Sequence, residues 1–259
     1  MNLTRLNLTR RTVAKVPEVA AIFWVAKILT TGMGEATSDF LNQRLGPGVA
    51  VPLAGLALVA ALVLQFRADR YVAWIYWLAV AMVAVFGTIA ADVLHKGMGI
   101  PYAISTTFFA VVLVGVFVVW HRTEGTLSIH SIHTPRREAF YWLTVMTTFA
   151  LGTAAGDLTA TTVNLGYLAS GFLFVGLIVV PAIGYRWFGM NEVLAFWFAY
   201  IVTRPLGASF ADWWAVSHQR GGLALGPGVV GMLLSVVIVA VVAYLAGARK
   251  DIQSEEEPA

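Results

Sequence analysis

Four tryptophans in this chain are each followed by a glycine ten residues later and an aspartate fifteen residues later: Trp24/Gly34/Asp39, Trp77/Gly87/Asp92, Trp142/Gly152/Asp157 and Trp197/Gly207/Asp212. The chain holds six Asp in 259 residues, so a given Trp meets Asp at one chosen offset about 2% of the time, and four coincidences require an internal repeat. All four sets lie inside strongly apolar segments. The fold must therefore be assembled four times from one kind of unit, and each unit must place an acidic residue among hydrophobic ones.

Hydrophobic residues make up 59% of the chain and charged residues 12%, about half the ~25% charge of an average soluble domain. This composition belongs to an integral membrane protein. Apolar stretches at about 19–41, 49–66, 71–94, 100–120, 140–163, 165–185, 193–214 and 228–246 mostly approach the ~20 residues a helix needs to cross a bilayer. They predict an all-α, polytopic membrane helical bundle of eight transmembrane helices, built from four parallel tandem hairpin repeats. The Trp-to-Trp spacings are 53, 65 and 55 residues, and the longer middle one contains the polar segment 121–138, which separates two halves. The expected organisation is a basic N-terminus (1–16), repeat hairpins at 17–68 and 69–121, a linker (122–138), repeat hairpins at 139–189 and 190–248, and an acidic tail (249–259). The first apolar segment reads as a span and not as a cleaved leader, because it carries its own Trp24/Gly34/Asp39 set. With no Cys in the chain, disulfides and thiolate metal sites are excluded.

Twelve Lys and Arg fall on one side of the expected spans: Arg5, Arg10, Arg11, Lys15, Arg67, Arg70, Arg122, Arg136, Arg137, Arg186, Arg249 and Lys250. The opposite loops hold Arg44, Lys96 and Arg220. The positive-inside rule then places both termini in the cytoplasm, each Trp near the cytoplasmic interface and each Asp toward the outer face. Because the basic residues sit at segment ends, the formal charge of +3 reports topology, and nucleic acid is not an expected partner. The lipid bilayer is. Two crossings per unit make the repeats parallel, related by an axis along the membrane normal.

Reading the odd-numbered helices at a spacing of four gives one slowly turning stripe per repeat. The stripes are Lys27, Thr31, Glu35, Asp39; Val80, Ala84, Thr88, Asp92; Val145, Phe149, Thr153, Asp157; and Tyr200, Arg204, Ala208, Asp212. A charge near the middle of a membrane helix costs ~2.5 to 3.5 kcal/mol on insertion scales, so such residues face a bundle interior and find partners. Asp39, Asp92, Asp157, Asp212 and Glu35 form the candidate metal-ligating set, with Lys27 and Arg204 as charge partners and Thr31, Thr88 and Thr153 as polar lining. Carboxylates with hydroxyls suit hard divalent ions, and clustered carboxylates share protons. The alternative is structural: an Asp near a Gly-containing turn shapes the hairpin or caps its second helix.

Trp24, Trp77, Trp142 and Trp197 are expected as anchors at the cytoplasmic membrane interface. Gly34, Gly87, Gly152 and Gly207 are expected to permit close helix contact. No apolar segment contains the central His pair of a membrane haem, and the His130–His133 stretch reads as solvated. The chain carries no phosphate loop, nucleophile elbow or zinc-protease signature, so an enzyme is not expected and no resident cofactor is predicted.

Four tandem units with two membrane spans and a characteristic Trp each, at Trp24, Trp77, Trp142 and Trp197, resemble a bacterial membrane protein family described only as a repeat of unknown function. The resemblance extends from about Pro17 to Ala248 and implies the four-hairpin architecture and a bacterial inner-membrane location. It implies no activity. From the residues, the leading expectation is a small secondary transporter or channel for a cation, a divalent metal ion with proton coupling, with Lys27 and Arg204 tuning the site or standing in for the ion. A non-transporting scaffold or accessory subunit is the competing expectation. A third is an organic-substrate carrier using aromatic residues around Trp74, Tyr76 and Trp77.

Overall fold

The computed structural model describes residues 14–248; the basic residues before Ala14 and the acidic tail lie outside the described residues. It contains eight long helices: α1 (Ala21–Leu45), α2 (Pro47–Arg67), α3 (Ala73–Asp92), α4 (Tyr102–Glu124), α5 (Pro135–Asp157), α6 (Gly166–Phe188), α7 (Glu192–Ala215) and α8 (Pro227–Ala248). Local chemistry sets several ends. The Asn191 side chain accepts from the backbone N–H of Val193 and Leu194 at the start of α7, and Thr134 accepts from Arg137 N–H ahead of Pro135 in α5. Gly125 and Gly189, at φ 72° and 66°, stop α4 and α6 in the left-handed conformation. The turns entering α2, α4 and α6 have Gly46, Pro101 and Leu165 at the N-cap, so the repeated Asp is not the capping residue there.

The four odd-numbered helices close an inner ring, α1 against α3, α3 against α5, α5 against α7 and α7 against α1. Each even-numbered helix lies mainly on the inner helix of the following repeat: α2 on α3, α4 on α5, α6 on α7, and α8 back on α1. The chain thus closes a four-fold pseudo-symmetric circle. In the most apolar stretches of α3 and α7, 67% and 61% of residues are buried, against 17–33% in the outer helices. Leu56, Val111, Val114, Phe172, Met232 and Val236 are exposed on the outer helices, where a bilayer solvates apolar side chains.

Six of the eight helices are long and apolar enough to cross a membrane, α1 and α5 being the other two. Both belong to the inner ring and bury polar side chains, Lys27, Thr30, Thr31, Glu35 and Ser38 on α1 and Thr144, Thr147, Thr148 and Thr153 on α5. Neighbouring helices take the place of lipid around them, so they need less hydrophobic surface. The result is a membrane helical bundle whose least apolar members are its innermost.

The repeated glycines explain the closeness of the ring. A Cβ on Gly34 would lie 2.9 Å from the Ala84 carbonyl carbon, on Gly87 3.0 Å from the Phe149 Cβ, on Gly152 2.6 Å from the Arg204 Cβ, and on Gly207 2.7 Å from the Ile28 carbonyl oxygen, with Thr31 Oγ1 also in its way. Thr31, Ala84, Phe149 and Arg204 occupy equivalent repeat positions. Each glycine therefore receives the same position of the next repeat, and repeat four receives repeat one.

The tryptophans are where the sequence expectation needs correction. Trp77, Trp142 and Trp197 are 2–3% exposed and Trp24 alone is half-buried, so three of the four rings pack inside the protein and are not anchors presented to lipid headgroups. Each is preceded by an aromatic residue, Phe23, Tyr76, Tyr141 or Phe196, and the rings interlock, with Phe23 5.8 Å from Trp77 and Tyr141 6.2 Å from Trp197. Aromatic rings bury large apolar areas, and edge-to-face contacts add to that burial. The Trp level is thus a packed plug across one end of the ring. Trp74 faces outward while Tyr76 and Trp77 are buried, so these three do not line one surface.

The expected linker is also less solvated than its composition suggests. Its first residues continue α4 to Glu124, whose carboxylate pairs with Arg136 and Arg137 at 3.1 and 2.9 Å. Glu138 is fully buried, accepting from Lys15 Nζ at 2.8 Å and Gln65 Nε2 at 2.9 Å, while Lys15 Nζ also reaches the Phe66 carbonyl at 3.3 Å. Lys15, assigned by sequence to a basic cytoplasmic terminus, is an internal pin between the halves. His95 is likewise buried, on a π turn, its ring 4.3 Å from that of Tyr102 and Nδ1 3.2 Å from Ser105 Oγ.

Candidate functional site

Along the ring axis the stripes read from sequence become layers. Lys27, Val80, Val145 and Tyr200 form one; Thr31, Ala84, Phe149 and Arg204 the next; Glu35, Thr88, Thr153 and Ala208 the third; all twelve are buried. The Asp residues form the last layer, with Asp92 and Asp212 buried and Asp39 and Asp157 half-buried. The helical rise of ~1.5 Å per residue puts ~12 Å between the Lys27 and Glu35 levels.

Arg204 organises the centre. Its Nη2 donates to Glu35 Oε2 at 2.6 Å, to Thr153 Oγ1 at 2.8 Å and to Thr88 Oγ1, and its Nη1 donates to the Thr31 carbonyl at 3.1 Å. One guanidinium from α7 thereby touches α1, α3 and α5. Arginine suits this role because it presents several donors in a fixed planar fork. Glycine at 152 is what lets the Arg204 stem lie against α5. Thr88 Oγ1 also donates to the Ala84 carbonyl at 3.0 Å and Thr153 Oγ1 to the Phe149 carbonyl at 3.1 Å, leaving oxygen lone pairs for the arginine. Thr31 behaves differently from the lining residue expected. Its hydroxyl bonds the Ile28 and Thr203 carbonyls at 2.7 and 3.1 Å, joining α1 to α7, and only its backbone faces Arg204.

Lys27 lies below this network, its Nζ 4.1 Å from the Phe149 ring centre and 4.2 Å from that of Tyr200. The guanidinium carbon of Arg204 is 5.3 Å from the same Phe149 ring. Two basic groups therefore contact one aromatic ring, and cation–π attraction offsets part of their desolvation. Farther toward the Trp end, the Tyr76 and Tyr141 hydroxyls meet at 2.5 Å.

On the other side of Arg204, Glu35, Asp39 and Asp212 each bring a carboxylate oxygen to within 4.8 Å of the others. Three of the five predicted ligands thus come together, on α1 and α7, which carry the charges that are not repeated. Asp92 and Asp157 stay outside this group. Each is followed by a π turn, Val93–Gly97 and Leu158–Thr162, that α1 and α7 lack. Such turns widen a helix locally and displace the side chains around them. What the stripes could not reveal is which neighbours meet, because that depends on α7 closing onto α1.

Comparison with known proteins agrees with the repeat architecture. The family described as Repeat of Unknown Function (DUF347) matches at residues 22–71, 75–126, 140–190 and 195–251, each match holding one hairpin and beginning one residue before its Trp-preceding aromatic. No curated protein and no solved structure matches the chain. The four matches together span most of the sequence, and the chain belongs to this four-repeat family.

Proposed function

We propose that the protein is a carrier for a small cation, of the hard divalent class, with protons as counter-substrate, in the bacterial inner membrane. The observation that supports this reading most is the convergence of Glu35, Asp39 and Asp212 beside the Arg204 guanidinium. Three hard oxygen donors suit Mg2+, Mn2+ or Ca2+. Arg204 acts as the resident counter-charge: it satisfies Glu35 when no ion is bound and yields it when one arrives. An ion moving from the carboxylates toward the Trp end meets Arg204, Lys27 and the aromatic plug in turn. That order favours a carrier that rearranges over an open channel. The excess of Lys and Arg that the sequence puts on the Trp side of the spans supports a cytoplasmic location for that side and for both termini.

Mn2+ uptake into proteoliposomes containing the purified chain tests the proposal. The expected result is saturable uptake that Asp39→Asn combined with Asp212→Asn abolishes, while Asp157→Asn retains most of it. Unchanged uptake in the double variant overturns the site. The Arg204 network itself favours a second reading, a scaffold in which polar groups knit the ring, because it joins all four inner helices. Under that reading Glu35→Gln lowers the melting temperature and no cation raises it in either protein.

A further inference from the structure

Away from the carboxylates, at the Trp end, a cavity of about 540 Å³ opens between α1, α6, α7 and the segment after α4. It exists because the pseudo-symmetry fails there. Around Trp197, α4 supplies Phe117 at 5.2 Å and Trp120 at 5.8 Å between ring centres. These residues lie eight and five positions before Gly125, the left-handed glycine that ends α4. The same count back from Gly189 in α6 gives Pro181 and Gly184. The flank of Trp24 that α6 should cover is left open, and Trp24 is the one repeat tryptophan that is only half-buried.

The walls are apolar and aromatic, including Trp24, Ile178, Tyr185 and Phe196, with Phe196 5.6 Å from Trp24. The volume suits one drug-sized molecule. At the rim, Glu192 presents a carboxylate that is 65% exposed, with His130 Nε2 at 3.4 Å as its partner. Indole is the best aromatic surface for a cation, and Glu192 repels an anion. We propose that this cavity binds a hydrophobic organic cation, its apolar body against Ile178 and Phe196 and its charge between the Trp24 face and Glu192, displacing His130 from the carboxylate. The site is separate from the carboxylate cluster and does not depend on cation transport.

Calorimetric titration of the full chain in dodecyl maltoside micelles, with benzyltriethylammonium as probe and the similarly sized anion 4-tert-butylbenzenesulfonate as control, tests this. Saturable one-to-one binding of the ammonium is expected, with the anion at least roughly tenfold weaker. Glu192→Gln, on an exposed side chain, should weaken the ammonium by about tenfold, and Ala182→Trp, which fills the cavity from its rim, should remove binding. Should Ala182→Trp fail to fold, Glu192→Gln carries the test alone. Equal binding of both probes, no saturable binding by the wild type, or unchanged affinity in Glu192→Gln overturns the proposal. So does loss of ammonium binding when phosphatidylcholine is added to the micelles, since the cavity then holds a lipid headgroup.

Discussion

Two buried ion pairs sit at opposite levels of this bundle, and they differ in whether their hydrogen-bonding capacity is used up. At the Trp end, each Glu138 oxygen has one close donor, Lys15 or Gln65, and Lys15 spends a further donor on the Phe66 carbonyl. Near the Asp end, Glu35 shares Arg204 with two threonines while two more carboxylates lie within 4.8 Å. The first arrangement is closed and holds the two halves of the chain together. The second gathers three carboxylates from α1 and α7 beside one guanidinium, an oxygen donor set of the kind a hard cation takes. A buried charge alone is thus a poor marker of function; convergence of several carboxylates beside it is a better one.

The largest effect should come from opening the closed pair. Glu138→Ala strands Lys15 in a buried site and should cost about 3–5 kcal/mol, read as a fall in denaturant midpoint in detergent micelles. A variant as stable as the wild type would show that this cluster does not join the halves. Next in size is Gly207→Ala, whose Cβ would press on the Ile28 carbonyl and Thr31; overpacking of this kind costs about 1–3 kcal/mol. Gly87→Ala, which meets a side-chain carbon at 3.0 Å, should cost less, and equal losses would argue against the unequal seams of the ring.

The open site should respond in ligand dependence more than in stability. Glu35→Gln keeps a polar group for Thr88 and Arg204, so its stability loss should be smaller than that of Glu138→Ala. Its signature should be the loss of the Mn2+-induced rise in melting temperature, which in the wild type corresponds to about 2.7 kcal/mol at a hundredfold excess over Kd. If Glu138→Ala also removed that rise, the two pairs would be one coupled system. The smallest change is expected for Lys27→Met. A thioether of similar volume fits between Phe149 and Tyr200 without a desolvated charge, so stability should stay within about 1 kcal/mol of the wild type or increase, measured by thermal unfolding.

Much of this organisation is legible in the residues, for identifiable reasons. A period that returns Trp, Gly and Asp at constant offsets survives divergence because the glycine is needed for contact between neighbouring inner helices. The four-residue stripes locate buried layers because helical geometry places such positions on one face. The burial of Trp77, Trp142 and Trp197 is not legible from their spacing, because a tryptophan near a span end has the same spacing whether its ring faces lipid or the next helix. Phe23, Tyr76, Tyr141 and Phe196 were the available signal, since an aromatic before every repeat Trp marks an aromatic layer. The burial of Lys15 and Glu138 is not legible in sequence, because polar residues outside a span look solvated until the chain end folds back onto them.

The sequence by itself determined the repeat, its two-helix unit, the membrane-compatible composition and the identity of the polar layers, all of which follow from local periodicity. Only the tertiary structure decided which layers are shared, that α7 closes on α1, and that Arg204 occupies the centre. It also decided that Glu35, Asp39 and Asp212 meet while Asp92 and Asp157 stand apart. These are consequences of ring closure between residues more than 160 positions apart, and a one-dimensional period carries no information on how a ring closes.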